Sequence, residues 1–190
     1  MDRLQIVSAK PSDYPGIVSA FSTSTAGQGE YERYDPLRQE ALLSGLSEAI
    51  EDQQIYAMKN GSRVLGFAWI GHIVEEELFP KTQSYSKTED VLEAIGYHGE
   101  PTMVLRGIFI DKKEQGHKYG NELFHSLLSR YKGATWIAAI EEGNRGGIHF
   151  LEHLGFLPCP IPVDCECGDT PKRVYAKTFR PSGLCREARW

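Results

Sequence analysis

The sequence predicts a mixed α/β fold, in which helices and strands are interleaved around a mixed sheet. Three observations point there. The pair Asn60-Gly61 separates two apolar runs early in the chain, and both residues tolerate positive φ, which marks a β-hairpin. Leucine and alanine recur at helical spacing on either side of apolar strands. Finally, the apolar run Thr102 to Ile110 passes through a charged, glycine-containing turn into an amphipathic helix. The chain has 190 residues, 41% of them apolar and 25% charged, ordinary proportions for a soluble domain that buries a core without disulfides or metals.

Element by element, Leu4 to Ala9 reads as a first strand ended by Pro11. Ser12 or Asp13 caps the helix that follows, with Pro15 in its first turn and Ile17, Val18 and Phe21 on its apolar face. Ser22 to Asp35, rich in Ser, Thr, Gly and charge, is a loop. From Pro36 to Glu51, residues Leu37, Ala41, Leu42, Leu46, Ala49 and Ile50 define a helix. Ile55 to Lys59 and Arg63 to Ile73 are the hairpin strands, and Leu65, Phe67 and Trp69 alternate on the second as core residues. Glu75 to Pro101 is a polar insertion, whose own helix starts at the capping box Ser86-x-x-Glu89. Thr102 to Ile110 is a central strand, Asp111 to Gln115 a turn and Tyr119 to Tyr131 a helix. Thr135 to Ile140 is a buried strand, and Gly147 to Leu154 a helix closed by Gly155. Phe156 to Ile161 and Arg173 to Phe179 are the final strands. We expect one domain over residues 1–180, with the insertion at 75–101 and a polar tail at 181–190.

Charge and composition narrow the function. A net charge of −5 argues against nucleic acid or an anionic membrane as partner, because phosphate surfaces demand basic ones. The N-terminus lacks the pattern of a signal peptide, and no run approaches the ~20 apolar residues that span a bilayer, so a cytoplasmic location is expected. The four cysteines, Cys159, Cys165, Cys167 and Cys185, are expected to be reduced and unligated. The one-residue gap in Cys165-x-Cys167 is tighter than structural zinc sites use. His149 and His153 stand one helical turn apart but have no carboxylate-rich accompaniment, which favours an exposed helix face over a metal pair. No metal is expected.

The chemistry concentrates in Met103 to Tyr131. A buried strand that runs through a glycine-containing turn into a helix aims unpaired backbone N–H groups and the positive helix end at one point, which suits a diphosphate. This segment resembles the GNAT superfamily of N-acetyltransferases, whose members carry an apolar strand, then Gln/Arg-x-x-Gly-x-Gly/Ala, then a helix. Here Ile108-Phe109-Ile110 precedes Gln115-Gly116-His117-Lys118-Tyr119-Gly120, with Lys118 in place of the first motif glycine. A second stretch, Asn144 to Phe156, is similar to the family's Asn-x-x-Ala-Ile-x-x-Tyr-x-x-x-Gly-Phe segment at Asn144, Ile148, Gly155 and Phe156. Gly147 replaces the alanine there and Leu151 the tyrosine.

The resemblance implies a mostly antiparallel sheet flanked by helices, and acetyl-CoA as co-substrate. Backbone groups of Phe109 and Ile110 would pair with the pantetheine amides. The N–H groups of Gln115, Gly116, His117, Lys118, Tyr119, Gly120 and Asn121 would hold the pyrophosphate. Asn144 would contact the pantetheine arm or a nearby backbone amide, and Lys112, Lys113, Lys118 and Arg145 are candidates for the adenosine phosphate. The acceptor would be a primary amine, and a homodimer is compatible with the family. With Leu151 unable to donate a proton, Tyr119, His149, Tyr175 or water remain for the general acid, Tyr119 being preferred. Glu142 is the preferred base, with Glu141, His72 and Glu100 as alternatives. Two other classes stay open: a CoA-binding module without catalysis, and a zinc-stabilised adaptor.

Overall fold

The computed structural model of the chain describes residues 4–24, 35–72, 93–94, 99–159 and 172–178. Its strands and helices follow in the order β1 (Leu4–Ser8), α1 (Tyr14–Thr23), α2 (Pro36–Glu51), β2 (Ile55–Asn60), β3 (Arg63–His72), β4 (Thr102–Ile110), α3 (Tyr119–Arg130), β5 (Thr135–Glu141), α4 (Arg145–His153), β6 (Leu157–Pro158) and β7 (Lys172–Lys177). The strands form one mixed sheet in the order β1-β2-β3-β4-β5-β7-β6. The ladders β1/β2, β2/β3, β5/β7 and β6/β7 are antiparallel and β4/β5 is parallel, the mostly antiparallel mixture that was expected. Two compact units share the chain: Met1–Gly71 with Leu105–Ser129, and His72–Val104 with Arg130–Trp190. The interior of the loop at 22–35, nearly all of the 75–101 insertion with its capping box, and Cys165, Cys167 and Cys185 lie outside the described residues.

In the first unit, the apolar stripes of α1 and α2 cover the hairpin β2–β3. Ile17, Ala20 and Phe21 of α1 and Leu46, Ala49 and Ile50 of α2 are buried with Ile55, Ala57, Phe67 and Phe109. The Phe109 ring stands 4.9 Å from those of both Phe21 and Phe67, contacts worth about 0.5–1.5 kcal/mol each beyond area burial. Helix α1 approaches β3 so closely that a Cβ at Gly16 would lie 2.8 Å from Val64 Cγ2. The first half of α2 departs from expectation: Leu37 is 79% exposed and Ala41 is also at the surface, while Leu42 and Leu43 pack against the core. Amphipathic spacing sets a helix, but its burial stops where the covering layer stops.

Two local expectations are corrected. The hairpin loop is Gly61-Ser62, since Asn60 pairs with Arg63 across the ladder. Only Gly61 has positive φ (61°), the pattern of a type II′ turn with glycine at its first central position. Asp13 occupies the N-cap position of α1 yet makes no cap bond there. It is buried, accepts from the Lys10 N–H at 3.1 Å and forms an ion pair with Lys59, which sits at the β2 bulge. A buried carboxylate needs a cation more than a helix end needs this cap.

In the second unit, β5 is buried from Thr135 to Ala138. It pairs with the start of β4 over Thr102↔Thr135 to Val104↔Ile137, and along its length with β7. Residues covered on both faces read as an unbroken apolar run, which is why TWIAAI was recognisable. Helix α4 ends as expected at Gly155 (φ 82°), where Gly155 N–H donates to Glu152 and Phe156 N–H to Leu151, a Schellman closure. Of the strand expected from Phe156 to Ile161, Leu157–Pro158 pair with β7 and Cys159 N–H donates to Val174 O at 2.8 Å, while residues 160–161 lie outside the described residues. Among the described residues, no helix is long and apolar enough to cross a membrane.

Candidate active site

The turn between β4 and α3 is built from its own hydrogen bonds. Asp111 N–H donates to Leu65 O at 3.0 Å, and the Asp111 carboxylate accepts from Lys113 N–H at 2.9 Å, starting a 3₁₀ turn over Lys112–Glu114. Arg63 holds Glu114 at 2.7 Å. The Gln115 side-chain amide reaches back to donate to Ile110 O at 3.2 Å. His117 Nδ1 lies 3.1 Å from Glu114 O, and its ring stacks on Tyr119 at 5.5 Å.

Backbone conformation then gathers donor groups in one place. Gly116 has φ 86° and Lys118 φ 64°, two left-handed residues separated by one. Such alternation turns successive N–H groups toward a common concavity. The first backbone donors that find acceptors are Asn121 and Glu122, both at Lys118 O, 3.0 and 3.2 Å away. Among the described residues, the N–H groups of Gly116, His117, Lys118, Tyr119 and Gly120 have no acceptor. Five consecutive unsatisfied donors thus stand at the positive end of a helix, on exposed to half-exposed backbone, an arrangement of the kind that suits phosphate oxygens. Exposed Lys112, Lys113 and Lys118 add positive charge.

The expected cofactor residues Phe109, Ile110 and Gln115 to Asn121 therefore all lie in one unit, on one continuous strand–turn–helix segment. Ile110 O is shared with the Gln115 side chain, which leaves it one lone pair. Gln115 thus acts first as the brace of the turn. The Phe109 side chain is buried, and its ring folds back over Gly107, whose Cβ would lie 2.4 Å from the ring. Lys118, the departure from the motif glycine, takes the left-handed conformation that explains why glycine is suited to that place.

Glu142 and Asn144 belong to the other unit. Asn144 Oδ1 accepts from Gly147 N–H at 2.9 Å and caps α4, the backbone-amide alternative among its expected contacts. Gly147 is required there: a Cβ would stand 3.0 Å from both terminal atoms of the Asn144 amide and 2.3 Å from Ile140 Cδ1. Exposed Glu142 accepts from Arg173 Nε at 2.6 Å, and this bond raises the Arg173 pKa. Leu151 is buried in the core, as is Tyr175, while His149 is exposed. His149 and His153 both face solvent, and no cluster of three metal-ligating side chains occurs among the described residues. Cys159, half-buried, is a free thiol. One held side chain escaped the sequence reading. Arg106, the lone charge in TMVLRGIFI, stacks on Trp69 rather than sitting idle on a central strand. Its signal was the charge itself in an apolar strand.

Residues 19–156 match the acetyltransferase (GNAT) family. Solved structures with the same fold include a GNAT-family acetyltransferase from Streptococcus agalactiae, with TM-score 0.68 and 15% identity over 94% of this chain and 96% of that one. PaiA N-acetyltransferase from Thermoplasma acidophilum, in complex with coenzyme A, gives TM-score 0.62 and 12% identity over 93% and 99% of the two chains. The ribosomal-protein-S18-alanine N-acetyltransferase from Escherichia coli gives TM-score 0.59 and 16% identity over 96% and 99%. No curated protein matches the sequence significantly.

Proposed function

The chain belongs to the GNAT acetyltransferase family, and we propose that it moves an acetyl group from acetyl-CoA to a primary amine of a small molecule or peptide. The observation that carries this reading is the cradle of five unsatisfied N–H groups from Gly116 to Gly120, at the start of α3. Its donors suit a diphosphate, and the Phe109–Ile110 backbone just before it suits the pantetheine amides. In this reading residues 1–180 act as one catalytic domain in the cytoplasm, alone or as a homodimer, with no metal.

Acetyl-CoA supplies an activated thioester, so the protein's tasks are orientation and proton transfer. Glu142 is the proposed base that takes the proton of the attacking amine, directly or through water. Its bond to Arg173 orients the carboxylate and leaves a second oxygen for that role. Tyr119, half-exposed at the start of α3, is the proposed donor to the departing sulfur. A thiolate leaving group requires only modest help, so burial of Leu151 where the family carries tyrosine is compatible with turnover.

That same buried Leu151 favours a second reading, a CoA-binding domain without catalysis. Thiol release on mixing acetyl-CoA with a broad amine panel separates the two: release supports the transferase, and tight CoA binding without release supports the module. The cradle itself is tested by Gly120→Glu. A carboxylate against bound phosphates should weaken CoA binding at least about tenfold by calorimetry, with the circular dichroism spectrum unchanged. A folded variant that binds CoA as the parent does would move the site elsewhere.

A further inference from the structure

We propose that the His117 side chain is a further ligand of the CoA diphosphate, one that grips it only when the imidazole is protonated; this rests on the CoA-binding reading above and adds a side chain to its site. The donors from Gly116 to Gly120 are backbone N–H groups, the same in number and charge at every pH. His117 stands second among them. It is the one residue of that run whose side chain changes charge between about pH 5 and 8.

The ring lies at the surface, yet it is held from two sides. Its Nδ1 is 3.1 Å from Glu114 O, and its face stacks on Tyr119, with centroids 5.5 Å and planes 23° apart. A carbonyl oxygen only accepts, so Nδ1 carries a hydrogen whether the ring is neutral or charged. Nε2 is therefore the nitrogen that gains and loses the proton. Among the described residues Nε2 has no hydrogen-bond partner. The two nitrogens of an imidazole point in diverging directions, so Nε2 faces away from Glu114 O. Neutral, it offers a lone pair that repels a phosphate oxygen; protonated, it offers a charge-assisted N–H.

The charged and titratable groups around the ring are Asp111, Lys112, Lys113, Glu114 and Lys118 of the turn, Arg63 of β3, and Tyr119 and Glu122 of α3. Both turn carboxylates are engaged. Glu114 is paired with Arg63 at 2.7 Å, and Asp111 accepts from Lys113 N–H at 2.9 Å. A diphosphate seated on the backbone donors is then the anion that an imidazolium at 117 meets. All of these residues belong to one unit. Binding takes up a proton, so the added affinity is present below the imidazole range and is lost as pH rises through it.

The 3′-phosphate of CoA would obscure this, because phosphate monoesters lose a proton near about pH 6. The probe is therefore 3′-dephospho-CoA, which keeps the diphosphate alone. Its affinity is measured by calorimetry at low salt from about pH 5.5 to about pH 8, in buffers of different ionisation enthalpy, so that proton uptake is read directly. We expect the parent to bind about tenfold tighter at the acid end, with net proton uptake. His117→Gln should bind at every pH as the parent does at the alkaline end, without uptake. His117→Lys, charged throughout, should keep the tighter binding at both ends. Both variants should match the parent in circular dichroism. A parent affinity that does not change with pH, or a pH dependence that survives His117→Gln, overturns the role of His117 and leaves the backbone donors in place. Failure of both CoA and 3′-dephospho-CoA to bind at any pH overturns the CoA-binding reading and this assignment with it.

Discussion

Lys118 is a lysine in a backbone conformation built for glycine. With φ 64° its Cβ crowds the following carbonyl, at a cost of about 1–2 kcal/mol. Glycine removes that strain but gains entropy in the unfolded chain, worth about 0.5–1 kcal/mol. Lys118→Gly should therefore stabilise the protein by about 0.5–1 kcal/mol, seen as a higher urea midpoint at unchanged slope. The same variant loses a cation at the cradle, so its affinity for CoA should depend less steeply on salt; an unchanged salt slope would show that Lys118 does not serve the phosphates. The sequence showed the lysine as a departure from a motif but not its dihedral, because a left-handed residue is legible chiefly when it is glycine or asparagine. Arg106 was passed over for a related reason: a single charge has no periodicity, and its stacking on Trp69 depends on a strand distant in sequence.

Among the elements, helix α4 shows how an end is fixed. Its carbonyls are met by the Gly155 and Phe156 N–H groups, and Lys177 of β7 adds its ammonium to Leu154 O. Burial lowers the Lys177 pKa from its ordinary 10.5, so the folded protein releases that proton at lower pH than the unfolded chain. Between the lowered value and 10.5 the unfolded chain binds more protons, and stability contributed by this group rises with pH through that window. Lys177→Met removes the titration. The stability of the parent relative to this variant should increase from neutral to alkaline pH in urea melts; a pH-independent difference would rule the effect out. Elements with long periodic patterns were read closely, as with α2, whose bounds agree residue for residue. Short ones were not. The hairpin loop shifted by one residue because Gly61 alone supplies positive φ.

For the molecule as a whole, ligand and fold are linked. Acetyl-CoA held only by the native state stabilises it by about 2.7 kcal/mol at a hundredfold excess over Kd. For a chain of this length that is a rise of about 5–10 °C in Tm, and its absence would remove CoA as a ligand. The mixed sheet was legible because strand–turn–helix order and two linked motifs constrain topology together. Burial at the helix surfaces was not, since it depends on neighbours distant in sequence. One close approach bears on how the protein tolerates drift. At Gly66 a Cβ would sit 2.7 Å from the Phe109 carbonyl oxygen and 2.6 Å from Ile110 Cδ1. A single methyl gained on the neighbouring strand would thus push on the Phe109–Ile110 backbone, which in the proposed reading lies along the thioester arm, from a position assigned to no ligand. If that reading holds, a variant that keeps Gly116 to Gly120 intact would still fall in activity through one added carbon at Gly66.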